Sequence, residues 1–171
     1  MPFPLPVVGG KSLEGGAGVP RPRPVLVSAC LLGLRCRYDG SHSSHRKALE
    51  LAKQGVAIPI CPEQMGGLPT PRPKAWLLGG DGRDVLEGRA KVVNERGEEV
   101  TEKFLRGAEG ALKLARIFGA ERALLKSKSP SCGVLRVYVA KGEGEEPALR
   151  PGMGVASALL SREGLELEEV G

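Results

Sequence analysis

A chain of 171 residues, 41% hydrophobic and 26% charged, suits one globular domain large enough to bury a full core. No stretch reaches the roughly 18 apolar residues of a membrane span, and MPFPLPVVGG lacks the basic and sustained apolar regions of a secretory signal, which makes a cytoplasmic setting the expectation. A net charge of +5 permits an anionic partner without demanding nucleic acid, and 4% aromatic content argues against a sheet that stacks RNA bases.

Residues 1–23 are rich in Pro and Gly and read as an N-terminal arm, leaving 24–171 as the domain. Residues 25–29 form a short apolar run, a buried strand. A helix is predicted over 43–54, with Ala48, Leu51 and Ala52 on one face and Gly55 as its stop. Residues 56–60 make the second strand. The KVVN segment between Gly-containing turns suggests a small hairpin within 81–99. The clearest helix covers 101–118. Thr101 is its candidate N-cap, Phe104, Leu105, Ala108, Ala111, Leu112 and Ala115 are its stripe, and Gly119 is its end. A third strand begins at 122–125, a helix covers 155–161, and a last strand covers 165–170. Such alternation predicts an α/β fold, a single domain with a mostly parallel sheet flanked by helices (Rossmann-like). Ligands bind at the carboxyl ends of such strands.

Three of the four cysteines follow those strands. PVLVSA leads to Cys30, VAIPI to Cys61, and RALLKSKSPS to Cys132. Parallel strands would deliver all three thiols to one sheet edge. In a reducing compartment they are ligands, catalysts or core residues before they are disulfides. The spacing matches neither a C-x2-C zinc finger nor tandem ferredoxin motifs. Buried cysteines also serve as small hydrophobes, but each of these abuts a turn residue: Gly33, Pro62 or Gly133. Three thiols could hold a [4Fe–4S] cluster with one iron left open as a Lewis acid, whereas four could close a structural zinc site.

Other residues carry two readings each. Glu63 is a general base or a solvated turn residue. Ser127, Ser129 and Ser131 are donors or turn caps. His42 and His45 are metal ligands or, as the weak spacing favours, helix-surface residues. Arg35, Arg37, Arg72, Lys126 and Lys128 flank the cysteine segments and together place positive charge there. The turn at 152–154 could bind an anion, though a plain loop is the simpler reading.

The segments SACLLGLRCRYDG, CPEQMGGLPTPRP, GRDVLEGRAKVV, EVTEKFLRGAEGALKLA and LLKSKSPSCG, in this order, resemble the DUF523 family, of thiouracil desulfurase (desulfidase) type. The resemblance covers about 24–171. It implies a [4Fe–4S]-dependent, non-redox enzyme acting on thiolated uracil compounds. The open iron takes the substrate sulfur, water replaces it at carbon, and hydrosulfide leaves. By position it implies Cys30, Cys61 and Cys132 as cluster ligands, with Glu63 and Ser129 as catalytic residues. Cys36, Ser131, Arg72 and Lys128 fall in the substrate or cluster environment. The implied partner is a small thiolated pyrimidine or nucleoside; tRNA is not favoured, and no membrane is involved. The chain departs from the family pattern after PRP, where Lys74, Ala75 and Trp76 stand in place of an acidic residue. The alternative is a non-catalytic cytosolic module with a structural, cysteine-ligated zinc.

Overall fold

The computed structural model describes residues 22–171, so the expected arm over 1–23 lies almost wholly outside the described residues. In chain order the elements are β1 (Val25–Ser28), a 3-10 turn (Ala29–Leu32), α1 (Arg46–Lys53), β2 (Ala57–Ile60), α2 (Pro62–Met65), β3 (Ala75–Leu78) and α3 (Gly82–Leu86). There follow β4 (Lys91–Asn94), α4 (Thr101–Phe118), β5 (Arg122–Lys126), β6 (Arg136–Ala140), β7 (Ala148–Pro151), α5 (Val155–Arg162) and β8 (Glu166–Val170).

The first sheet has the order β2-β1-β5-β8, and every pairing in it is parallel. Its central strands are continuous apolar runs: all four residues of β1 are buried, as are Ala123, Leu124 and Leu125 of β5. That is the pattern of strands covered on both faces. Helix α4 covers one face. Phe104, Ala108, Ala111 and Ala115 recur at helical spacing and are buried in one cluster with Leu26 and Leu125. Gly119, at φ 66°, ends the helix in the left-handed conformation that costs glycine least.

The second sheet was not foreseen. Its order is β4-β3-β6-β7, with β3 parallel to β6 and both outer pairings antiparallel. Leu77, Val92, Val137 and Val139 are buried on its inner face. Of the hairpin expected within 81–99, the second part forms, with Val93 and Glu99 in an isolated antiparallel bridge across the turn at 94–97; the first part is α3, and the other edge of β4 pairs with β3. Helix α3 is fixed by a capping box: Arg83 N donates to Asp81 Oδ1 at 2.9 Å and Asp81 N donates to Asp84 Oδ2 at 3.0 Å. Helix α1 starts at Arg46, later than expected, and buries only Ala48. Thr101 is the first residue of α4, not its cap. Its hydroxyl accepts from Val92 N at 3.0 Å and so ties α4 to β4.

Two glycines bring α2 against α4 at backbone distance. A Cβ on Gly107 would lie 1.8 Å from the Pro62 carbonyl oxygen, and one on Gly66 would lie 1.8 Å from that of Lys103. No side chain can yield there, because both obstacles are main chain. Gly107→Ala must therefore push α2 outward, and with it the residues on either side of Pro62. Overpacking of this kind costs about 1–3 kcal/mol, and urea denaturation of the variant should read a loss of that order.

Candidate functional site

β2, β1 and β5 lie side by side with their carboxyl ends at one edge. Cys61 directly follows β2, Cys30 lies in the 3-10 turn after β1, and Cys132 lies in the loop after β5. Together with Cys36 they line a single cavity of about 840 Å³. All four are free cysteines, three buried and Cys61 half-buried. The same cavity is lined by Glu63, Arg72, Ser127, Ser129, Lys126 and Lys128.

Each thiol loop is held by local hydrogen bonds. Ser129 Oγ accepts from Ser131 N at 3.1 Å and from Cys132 N at 3.0 Å, shaping the turn that presents Cys132. The carbonyls of Pro130 and Ser131 then take the free N–H groups opening α5, from Val155 at 2.9 Å and Ala156 at 3.0 Å. Ser157 Oγ donates to the Cys132 carbonyl at 2.7 Å. Gly154 permits this packing, since a Cβ there would lie 2.5 Å from Ser131 backbone. The turn at 152–154 is thus a close-packed loop whose N–H groups already have partners within the chain.

Arg72 joins the other two thiol segments. Its side chain is only 4% exposed. It donates from Nε to Glu63 Oε2 at 2.5 Å, from Nη2 to the Cys36 carbonyl at 3.0 Å, and from Nη1 to Pro69 O and Thr70 Oγ1 at 3.2 and 3.1 Å. One planar guanidinium thereby fixes a carboxylate 14% exposed and the backbone of a cysteine 36 residues away in sequence.

The thiols feel one another. A hydrogen bond with Cys36, opposed by burial, holds Cys30 below the ordinary thiol range, and the same contact raises Cys36. Contact with Cys36 and then burial raise Cys61. Burial pushes Cys132 up to about 12. Lys126 is lowered by burial first and by Arg37 and Lys128 after it. Among the four thiols the contact with Cys36 therefore makes Cys30 the readiest to lose its proton. A metal group would displace the thiol protons on binding.

Not every expected residue reaches the cavity. Ser131 is buried, and its Oγ has no hydrogen-bond partner among the described residues; its backbone, not its hydroxyl, serves the site. Arg35 is exposed outside the lining. His42 pairs with Ser44 Oγ at 3.0 Å and His45 precedes α1; neither lines the cavity. Lys128 does line it. It takes a left-handed φ of 60° and its backbone bridges to Val137, linking the two sheets. The lining also includes Tyr38, Lys74, Trp76 and Tyr138, which sequence reasoning did not assign to the site. Their signal was scarcity: the chain has one Trp and two Tyr, and all three are here.

The donor set fits an iron–sulfur group. Soft thiolates from three adjacent strand ends select iron–sulfur clusters or zinc. Among the described residues no group of three or more His, Cys, Asp or Glu side chains is arranged to hold a single metal ion.

The family model described as 2-thiouracil desulfurase matches residues 25–169. The uncharacterized protein YbbK of Bacillus subtilis (strain 168) is 43% identical over 140 residues, covering 82% of this chain and 91% of that protein. The solved structure of the [4Fe–4S]-dependent thiouracil desulfidase TudS (DUF523Vcz) is 41% identical. It superposes with a TM-score of 0.73 over 86% of this chain and 91% of that one.

Removing Arg72 would leave the Glu63 carboxylate without its partner in a largely dry position. Breaking one side of a buried pair costs about 3–5 kcal/mol. Arg72→Met should lose stability of that order in urea denaturation, and Arg72→Lys, with a point charge and no fork, should recover only part of it.

Proposed function

Because the chain belongs to the 2-thiouracil desulfurase family, we propose that Cys30, Cys61 and Cys132 hold a [4Fe–4S] cluster at the base of the cavity, where a small thiolated pyrimidine exchanges sulfur for oxygen. The observation that carries this reading is the gathering of the thiols, Glu63 and Ser129 around one cavity. Residues 24–171 form the working domain in this reading, with 1–23 as an arm before it. Among the described residues no helix is long and apolar enough to cross a membrane. A cytoplasmic setting, where thiols stay reduced, suits the chemistry.

When bound, the cluster would supply a thiophilic Lewis-acid iron. The protein's own groups manage the protons. The overall change, C=S plus water to C=O plus hydrogen sulfide, balances without added electrons. Glu63, held by Arg72 through one carboxylate oxygen, keeps lone pairs with which to take a proton from water. Ser129 Oγ accepts two backbone N–H bonds, so its own hydrogen is free to be donated into the cavity. Lys128 and Lys126 bring positive charge to a place where thiolate and hydrosulfide carry negative charge. Cys36 supports the site through its contacts with Cys30 and Cys61 and is not required as a ligand. The mild net charge supports a free base or nucleoside over a thiolated tRNA.

The test is anaerobic reconstitution, with iron and sulfide determined, followed by hydrosulfide release from a panel of 2- and 4-thiolated uracils and uridines. Cys30→Ser should lose most of its iron while Cys36→Ser keeps it. Equal loss in both would make the site a four-cysteine one. Glu63→Gln should load iron normally and lose about 10²–10⁴ in rate. Full activity of that variant would remove Glu63 from the chemistry.

A further inference from the structure

Both tyrosines and the single tryptophan line the cavity. Core packing does not explain them. On β3 and β6 the inward positions are Leu77, Val137 and Val139, all buried. Trp76 and Tyr138 alternate with these and so stand on the opposite face of the second sheet. Leu77 pairs with Val139 across the parallel strands. One residue back along that register, Tyr138 sits beside Trp76. Tyr138 is left 42% exposed. Two large rings on adjacent strands, turned from the core and bordering an open cavity, offer a face to whatever enters it.

Tyr38 comes to the cavity from the loop after Cys36. Lys74 Nζ lies 5.6 Å from its ring centroid and Arg37 lies 6.0 Å away, a pair of cation–π contacts. Its carbonyl accepts from Arg72 N at 2.8 Å, so the buried arginine anchors this ring's backbone as well.

We propose that Trp76 and Tyr138 form an aromatic wall that stacks the pyrimidine ring of the substrate, with Tyr38 completing the ring-binding surface. The proposal rests on the desulfidase reading and deepens it. The cysteine edge handles sulfur and the second sheet recognises the ring. Stacking is indifferent to whether the ring carries sulfur or oxygen, so substrate and product are both held by the wall.

Trp76 is its own probe, because no other tryptophan contributes fluorescence. The full-length protein, before and after cluster reconstitution, is titrated with 2-thiouracil, with uracil and with thiourea, a thione without an aromatic ring. Saturable quenching by both pyrimidines and none by thiourea is expected. In hydrosulfide release, Trp76→Ala should raise KM roughly 5- to 150-fold, the range of losing one stacked base, with cluster absorbance unchanged and kcat within about twofold. Trp76→Phe should restore most of the loss. Tyr138→Ala, at an exposed position that folding does not need, should raise KM several-fold. No quenching, or unchanged KM in the folded Trp76→Ala and Tyr138→Ala proteins, overturns the wall. If the loaded wild-type protein releases no hydrosulfide from any thiolated pyrimidine while uracil still quenches Trp76, the desulfidase reading fails and the wall stands.

Discussion

Parallel pairing of β1 with both β2 and β5 is the constraint on which the site depends. Parallel neighbours end at the same edge, and each must leave that edge by a crossover. The residue after each strand is therefore brought to the same place however far apart it lies in sequence. Cys61 is that residue after β2, while Cys30 lies in the turn that follows β1 and Cys132 in the loop that follows β5. An antiparallel order for any one of the three strands would send its cysteine to the far side of the molecule. The apolar character of β1 and β5 does two things at once: it builds a core, and it fixes where the thiols go.

Strand order brings the loops together, and backbone contact fixes their positions. The Cys61–Glu63 segment is pinned from below, where Gly107 of α4 meets the Pro62 carbonyl, and from the side, where Arg72 grips Glu63. The Cys132 loop is pinned by α5, whose opening N–H groups bond its carbonyls and whose Ser157 bonds Cys132 itself. Glycine is needed at 107 and 154 because a carbonyl stands where a Cβ would be. These supports combine main-chain contacts between elements distant in sequence with two side-chain bonds, from the buried Arg72 and Ser157, and so they are stiff.

The same distance explains what the sequence made legible. Strands β1, β2, β5 and β8 stood out as continuous or alternating apolar runs, and α4 by its stripe and its terminal Gly119. Cys30, Cys61 and Cys132 were legible because each lies in the segment that follows such a run. Strand β3 was not, since AWLL is four residues caught between Pro73 and Gly79, too short for a period to declare itself. The RVYVA of β6 does alternate, but its partner is β3, so neither could be placed without the other. Ser131 and Ser129 look equivalent in KSKSPSCG. Only the turn geometry decides which hydroxyl faces the cavity and which is buried behind it. Arg72 looked like one basic residue among several, because the carbonyl of Cys36 that it grips is 36 positions away.

Charge links the two sheets in function. Arg37, Lys74, Lys126 and Lys128 line the cavity, and among the described residues none of the four pairs with an Asp or Glu, although Lys126 Nζ donates to Gly171 O at 2.8 Å. Unpaired cations around a half-dry cavity repel one another, and the lowered proton affinity of Lys126 records this beside the effect of its burial. The cavity's most deeply held carboxylate, Glu63, is committed to Arg72. Cations gathered this way favour negative charge that enters the cavity. In the proposed reading, thiols that give up their protons to hold the cluster supply that charge, and a departing hydrosulfide supplies more. The cations around the cavity are then the counterpart of those thiolates.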